Sequence, residues 1–107
     1  MNSFSIKVIS IIQSIPKGKV LTYKSIAEIA GNPRGSREVS RLLHSCTEKY
    51  NLPWYRVINA QGRISLPEGG GYEQQAELLI NEGIVISQGG KIDLNRYLWK
   101  PDFFEFQ

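Results

Sequence analysis

The sequence predicts a mainly α-helical winged helix-turn-helix with two small β-hairpins. Three observations carry this. Two short amphipathic segments flank a Gly31-Asn32-Pro33 turn, the spacing of a helix-turn-helix. The second segment sets Arg37, Ser40, Arg41 and His44 at intervals of three and four, so they share one outer face. Farther on, two β-branched stretches joined by Ser87-Gln88-Gly89-Gly90 form a hairpin placed as a wing. A plain helical hairpin with a solvated face fits the two helices equally well.

Each element has a local cause. Ser5 to Ile15 reads as a helix because Phe4, Val8, Ile12 and Ile15 share one face. Asn2 or Ser3 can cap its start, and Pro16 and Gly18 close it. Thr22 is a good N-cap for a helix over Tyr23 to Ala30, with Ile26 and Ile29 inward and Gly31 ending it. A third helix runs from about Arg34 or Ser36 to Ser45, with Val39, Leu42, Leu43 and Cys46 as its apolar face. Arg56-Val57-Ile58 and Arg63-Ile64-Ser65 read as a hairpin around Asn59-Ala60-Gln61-Gly62. Tyr72 to Glu82 is a helix with Ala76, Leu79 and Ile80 on one face and Gly83 closing it. Ile84-Val85-Ile86 and Lys91-Ile92-Asp93-Leu94 make the second hairpin. The tail Tyr97-Leu98-Trp99-Lys100-Pro101 covers the core, and Phe103, Phe104 and Phe106 pack beyond it.

Composition narrows the function classes. At 107 residues, 41% hydrophobic and 21% charged, the chain matches one globular domain spanning residues 1–107. Thirteen basic against ten acidic residues permit a nucleic-acid partner without demanding one. One cysteine and one histidine exclude an internal disulfide and a structural zinc site, and no motif calls for a cofactor. With neither an apolar run of spanning length nor a signal-peptide pattern, a cytoplasmic monomer away from membranes is expected. The Glu68-Gly69-Gly70-Gly71 loop lacks the lysine and hydroxyl of a P-loop; its glycines let backbone approach a ligand or strand.

The most unusual stretch is Leu52-Pro53-Trp54-Tyr55-Arg56-Val57-Ile58. Proline biases Leu52 toward an extended shape, so the two aromatics enter the following strand at a defined angle. Trp54 there is either a core plug or the wall of a pocket for a flat ligand.

Three segments recur in order and at matching spacing: Gly18-Lys19-Val20-Leu21-Thr22-Tyr23, Ala30-Gly31-Asn32-Pro33-Arg34-Gly35-Ser36-Arg37, and Pro53-Trp54-Tyr55-Arg56-Val57-Ile58. They resemble the DNA-binding domain of the O6-alkylguanine-DNA alkyltransferases. In those enzymes the third motif reads Pro-Cys-His-Arg-Val, and its cysteine takes the alkyl group from guanine. Trp54 stands at that cysteine and Tyr55 at the relay histidine. With the ending Tyr97-Leu98-Trp99-Lys100-Pro101, the chain is similar to the alkyltransferase-like proteins, which bind such lesions without repairing them. Alkyl transfer needs a thiolate beside a base, and tryptophan supplies no nucleophile. Cys46, the remaining thiol, is placed in the pocket by no matched motif. Glu82 matches the glutamate that orients the histidine; with no histidine to orient, it is expected to serve the helix end or a core hydrogen bond.

The resemblance implies roles residue by residue. Arg37 matches the arginine finger that fills the base stack, and Tyr23 the tyrosine that pushes on the target phosphate. Gly35, Ser36 and Ser40 match small residues that let the recognition helix lie in the minor groove. Arg34 and Arg41 add charge to that face, so binding should weaken as salt rises. Trp54, Tyr55, Arg56, Val57 and the loop around Glu68-Gly69 would line the base pocket. Some relatives carry a cation in the loop after the hairpin; here Ile64-Ser65-Leu66-Pro67-Glu68 has none. The implied partners are duplex DNA containing O6-alkylguanine and the nucleotide excision repair proteins. A winged-helix regulator without lesion specificity is the competing reading.

Overall fold

The first helix, α1 (Ser3–Ser14), starts where Asn2 accepts a hydrogen bond from the Ser5 backbone N–H at 2.8 Å. This computed structural model describes residues 1–101, so the expectation for Phe103, Phe104 and Phe106 lies outside the described residues. Strand β1 (Leu21–Thr22) runs directly into α2 (Tyr23–Ile29). Thr22 and Ser25 cap that helix reciprocally. The turn that follows uses Gly31 at φ +94°, a conformation costly for any residue with a Cβ.

Helix α3 (Ser36–Tyr50) runs five residues past its expected end at Ser45. No breaker stands in Cys46-Thr47-Glu48-Lys49-Tyr50, and closure waits for Asn51, which adopts the left-handed conformation at φ +51°. Gly35 precedes α3 and is buried. A Cβ there would stand 2.6 Å from Cζ of Phe4, so this glycine lets the start of α3 press against α1.

The first expected hairpin is corrected. Trp54–Arg56 forms a 3-10 turn, not the start of a strand, and only Val57–Ile58 is extended, as β2. Its partner is β1, in parallel register with Leu21 opposite Val57 and Thr22 opposite Ile58. The Asn59–Gly62 turn does form, with Asn59 Oδ1 accepting from the Gln61 and Arg63 N–H groups. Beyond it, Arg63 bridges to Lys91. No local pattern marks the buried β1 as a partner, because parallel pairing joins segments distant in sequence.

Helix α4 (Tyr72–Asn81) buries Leu79, but Ile80 is exposed and Gln75 takes the inward position. The wing is shorter than expected: β3 (Ile86–Ser87) pairs antiparallel with β4 (Lys91–Ile92). Asp93 then caps a one-turn helix, α5 (Leu94–Tyr97), so Leu94 belongs to no strand. The tail returns to the core as expected: Leu98 bridges to Val20, and Trp99 packs against the α1–α3 cluster.

Two apolar clusters meet at the β1–β2 pair. Leu21 and Val57 face the cluster made by α1, α2 and α3. Val20 and Ile58 face the one made by α4, the wing and Tyr97. Alternation along the two strands divides them this way. Trp54 packs against the first cluster and Tyr55 against the second, so the turn carrying them straddles the seam.

Candidate nucleic-acid interface

The outer face of α3 carries Arg37, Ser40, Arg41 and His44, all exposed. Arg34 is exposed at the turn before it. Arg41 pairs with Glu38 one helical turn back, a solvent-exposed contact of little energetic weight. Beside this face opens a cavity of about 370 Å³, a size that suits one nucleobase. From α3 it is lined by Ser40, Leu43, His44 and Thr47, and from α2 by Tyr23. Trp54 and Val57 form the wall at the seam, Leu66 contributes from the following loop, and Gln75 from α4.

The 3-10 turn sets Trp54 against the first core cluster, where its ring also lines the cavity. Its ring meets Tyr55 edge-to-face, with centroids 5.9 Å apart and planes at 88°. Gln75 is buried and donates to the carbonyls of Tyr55 and Val57, both at 3.1 Å. One amide thereby ties α4 to the backbone beneath Trp54. Burial raises the Tyr23 phenol above its ordinary pKa of 10.0, partly opposed by a hydrogen bond from Ser65. The hydroxyl therefore stays protonated and can donate to an anion.

The other sequence-nominated pocket residues lie elsewhere. Tyr55 is behind Trp54 and turns into the second cluster. Arg56 points away from the cavity: Nε donates to Glu82 at 3.0 and 3.1 Å, and Nη1 to the Ile15 carbonyl at 2.9 Å. Glu82 also accepts from the Gly18 N–H at 3.0 Å. Burial pushes its carboxyl up, but hydrogen bonds from Arg56, Gly18 and Tyr55 and the Arg56 charge outweigh this and leave its pKa below the usual range. Glu82 is thus not idle; Arg56 and the Gly18 N–H both hold it. Glu68 and Gly69 are exposed in the glycine loop, where Glu73 closes the turn by accepting from the Gly69 N–H at 2.9 Å. Gly35 is buried, and Ser36 half-buried, at the start of α3.

Thr47, Leu66 and Gln75 were not nominated. Thr47 follows Leu43 and His44 on the same stripe and becomes visible once α3 is carried to Tyr50. Gln75 stands four residues before Leu79, and a polar residue in an apolar stripe is the signal that could have found it. Among the described residues no group of three or more His, Cys, Asp or Glu could hold a metal, and no helix is long and apolar enough to cross a membrane.

A helix pair with a basic outer face and a base-sized cavity at its flank defines a nucleic-acid-binding module. Residues 3–84 match the family model for the DNA-binding domain of 6-O-methylguanine DNA methyltransferase. A DNA base-flipping protein from Vibrio parahaemolyticus is 46% identical over 101 residues, covering 94% of this chain and all of the relative. Alkyltransferase-like protein 1 of Schizosaccharomyces pombe is 37% identical over 106 residues, covering 94% and 98%. The crystal structure of that yeast protein with damaged DNA containing O6-carboxymethylguanine superimposes with a TM-score of 0.82, at 37% identity and coverage of 94% and 98%. The chain belongs to the alkyltransferase DNA-binding-domain family, on its alkyltransferase-like, non-catalytic branch. The site agrees chemically. Trp54 has no nucleophile to offer, and the sole thiol, Cys46, does not line the cavity.

Proposed function

We propose that this protein binds duplex DNA at O6-alkylguanine, rotates the damaged nucleotide into the cavity beside Trp54, and releases it unchanged. The carrying observation is that Trp54, at the position of the family's nucleophile, walls a base-sized cavity shared with the α3 outer face. In this reading α3 lies in the minor groove with Ser36 and Ser40 allowing close approach. Arg37 fills the vacated stack, and Arg34 and Arg41 meet phosphates. Tyr23, lining the cavity and neutral, donates to the phosphate of the rotated nucleotide. Trp54 and Val57 flank the base directly, while Tyr55, Arg56, Glu68 and Gly69 support the pocket from behind and from the loop. Extrusion costs a few kcal/mol and least for a poorly paired alkylated base, so damage supplies part of the selectivity.

The protein acts as a monomer inside the cell, and the bound, deformed duplex flags the lesion for nucleotide excision repair. The printed names of the relatives, one a base-flipping protein and one crystallised on O6-carboxymethylguanine DNA, support the binding step. The test is a titration of two duplexes identical except for O6-methylguanine in place of guanine. Tight binding of the damaged duplex with a change in tryptophan fluorescence is expected, and Arg37→Ala should lose most of the preference. Equal affinity for both duplexes would sink the lesion reading and leave an ordinary winged-helix regulator.

A further inference from the structure

The wing carries a pair of cations whose placement the α3 face does not explain. Arg63 and Lys91 stand directly opposite each other across an antiparallel bridge. The flanking bonds are Ile92 N–H to the Gly62 carbonyl at 2.8 Å and Ile64 N–H to the Gly90 carbonyl at 3.1 Å. Those bonds make Arg63 and Lys91 a non-hydrogen-bonded pair, the kind in which facing side chains are closest. Like charges so placed repel and weaken the pairing.

Both residues are exposed, and no ion pair among the described residues neutralises them. The chain has no acidic residue from 49 to 67 or from 83 to 92. Asp93, next along, turns its carboxylate to the Asn95 N–H at 3.0 Å to cap α5. Two unpaired cations set together at a cost, with Asp93 the nearest acid in sequence, offer a site to an anion from outside.

The position points to which anion. Arg63, Ile64 and Ser65 alternate exposed, buried, exposed, so Arg63 and Ser65 share one face of an extended segment. Ser65 lies close enough to the Tyr23 phenol to lower its pKa, and Tyr23 and Leu66 both line the cavity. Arg63 is therefore joined, through Ile64 and Ser65, to the side of the cavity lined by Leu66 and Tyr23. We propose that Arg63 and Lys91 form a second phosphodiester site, gripping the duplex backbone beside the nucleotide that enters the cavity. This rests on the proposed DNA binding and adds an anchor outside the helix-turn-helix.

The experiment measures affinity across a salt series for damaged and undamaged duplexes, using Arg63→Gln, Lys91→Gln and the double variant. Each lost phosphate contact should flatten the slope of log K against log salt by about 1. Both duplexes should weaken by the same factor, leaving the lesion preference intact, because a backbone contact carries no base information. Arg63→Glu adds a contrast. It replaces repulsion with attraction across the bridge, so thermal stability should rise while DNA affinity falls, a divergence that a purely structural role does not produce. An unchanged salt slope in the double variant overturns the proposal. Loss of lesion preference in the wild type would instead remove the lesion reading, and the slope change would stand apart from it.

Discussion

Arg56 and Glu82 form a half-buried ion pair, with side chains 15% and 6% exposed, that joins the turn carrying Trp54 to the end of α4. The same carboxylate takes the Gly18 N–H, and the same guanidinium reaches the Ile15 carbonyl. Three chain segments thus meet at one pair. Glu82→Ala leaves a guanidinium and an N–H without their acceptor, and a loss of about 3 kcal/mol is expected in urea denaturation.

The pair also sets an acid limit. The folded-state pKa of Glu82 lies below the ordinary 4.5, so its contribution to stability is complete above that value. It is lost as pH falls below 4.5 through the lower folded value. Glu82→Gln should flatten this part of the stability profile, measured by thermal melts across an acid series. A profile as steep as wild type would remove Glu82 as its source.

Gln75 supports the cavity from α4 through two carbonyls. Gln75→Leu keeps the approximate shape but leaves both acceptors without their donor, at a cost of about 2 kcal/mol in denaturant titration. If the amide also holds the backbone under Trp54 in place, lesion affinity should fall further than stability alone predicts. Gln75→Glu should be no better, because a carboxylate accepts and cannot donate to a carbonyl.

Gly35 and Phe4 are matched in shape. Gly35→Ala sets a methyl 2.6 Å from Phe4 Cζ and 3.1 Å from the Asn32 carbonyl. A destabilisation of about 1–3 kcal/mol is expected. Phe4→Leu removes the ring, so the double variant should lose less than the sum of the singles. Additive losses would place the strain at Asn32 alone.

Trp54→Cys is predicted not to restore alkyl transfer. A thiol at that position would have no histidine at the relay position, since Tyr55 stands there and Glu82 is occupied by Arg56. Incubation with radiolabelled alkylated DNA should leave the single variant without label. Adding Tyr55→His supplies a base, worth about 100-fold or more where geometry permits, and any labelling should begin there. Efficient labelling of the single variant would show that the missing thiol alone silences the site.

Local chemistry made much of this legible. Thr22 as an N-cap, Gly31 in the turn, the basic face of α3 and the wing turn all follow from residues acting over three or four positions. The three motifs in register named the family and marked Trp54 as the altered position. The misreadings had nonlocal causes. Val57 and Ile58 pair with Leu21 and Thr22, more than thirty residues earlier, and nothing near Arg63 announces that Lys91 lies opposite it. Arg56 fits the pocket motif by sequence, yet Glu82 draws it to the other side of the turn. Gln75 drew no notice in the sequence, and only the fold brings its amide to two carbonyls.

By itself, then, the sequence determined the helix-turn-helix, the wing and the absence of a nucleophile at position 54, because these depend on residue type and short-range spacing. The tertiary structure alone decided which side chains line the cavity, what holds Trp54 at its edge and where the cations of the wing meet. Those outcomes depend on which distant segments exclude water from one another, and short-range spacing does not encode that.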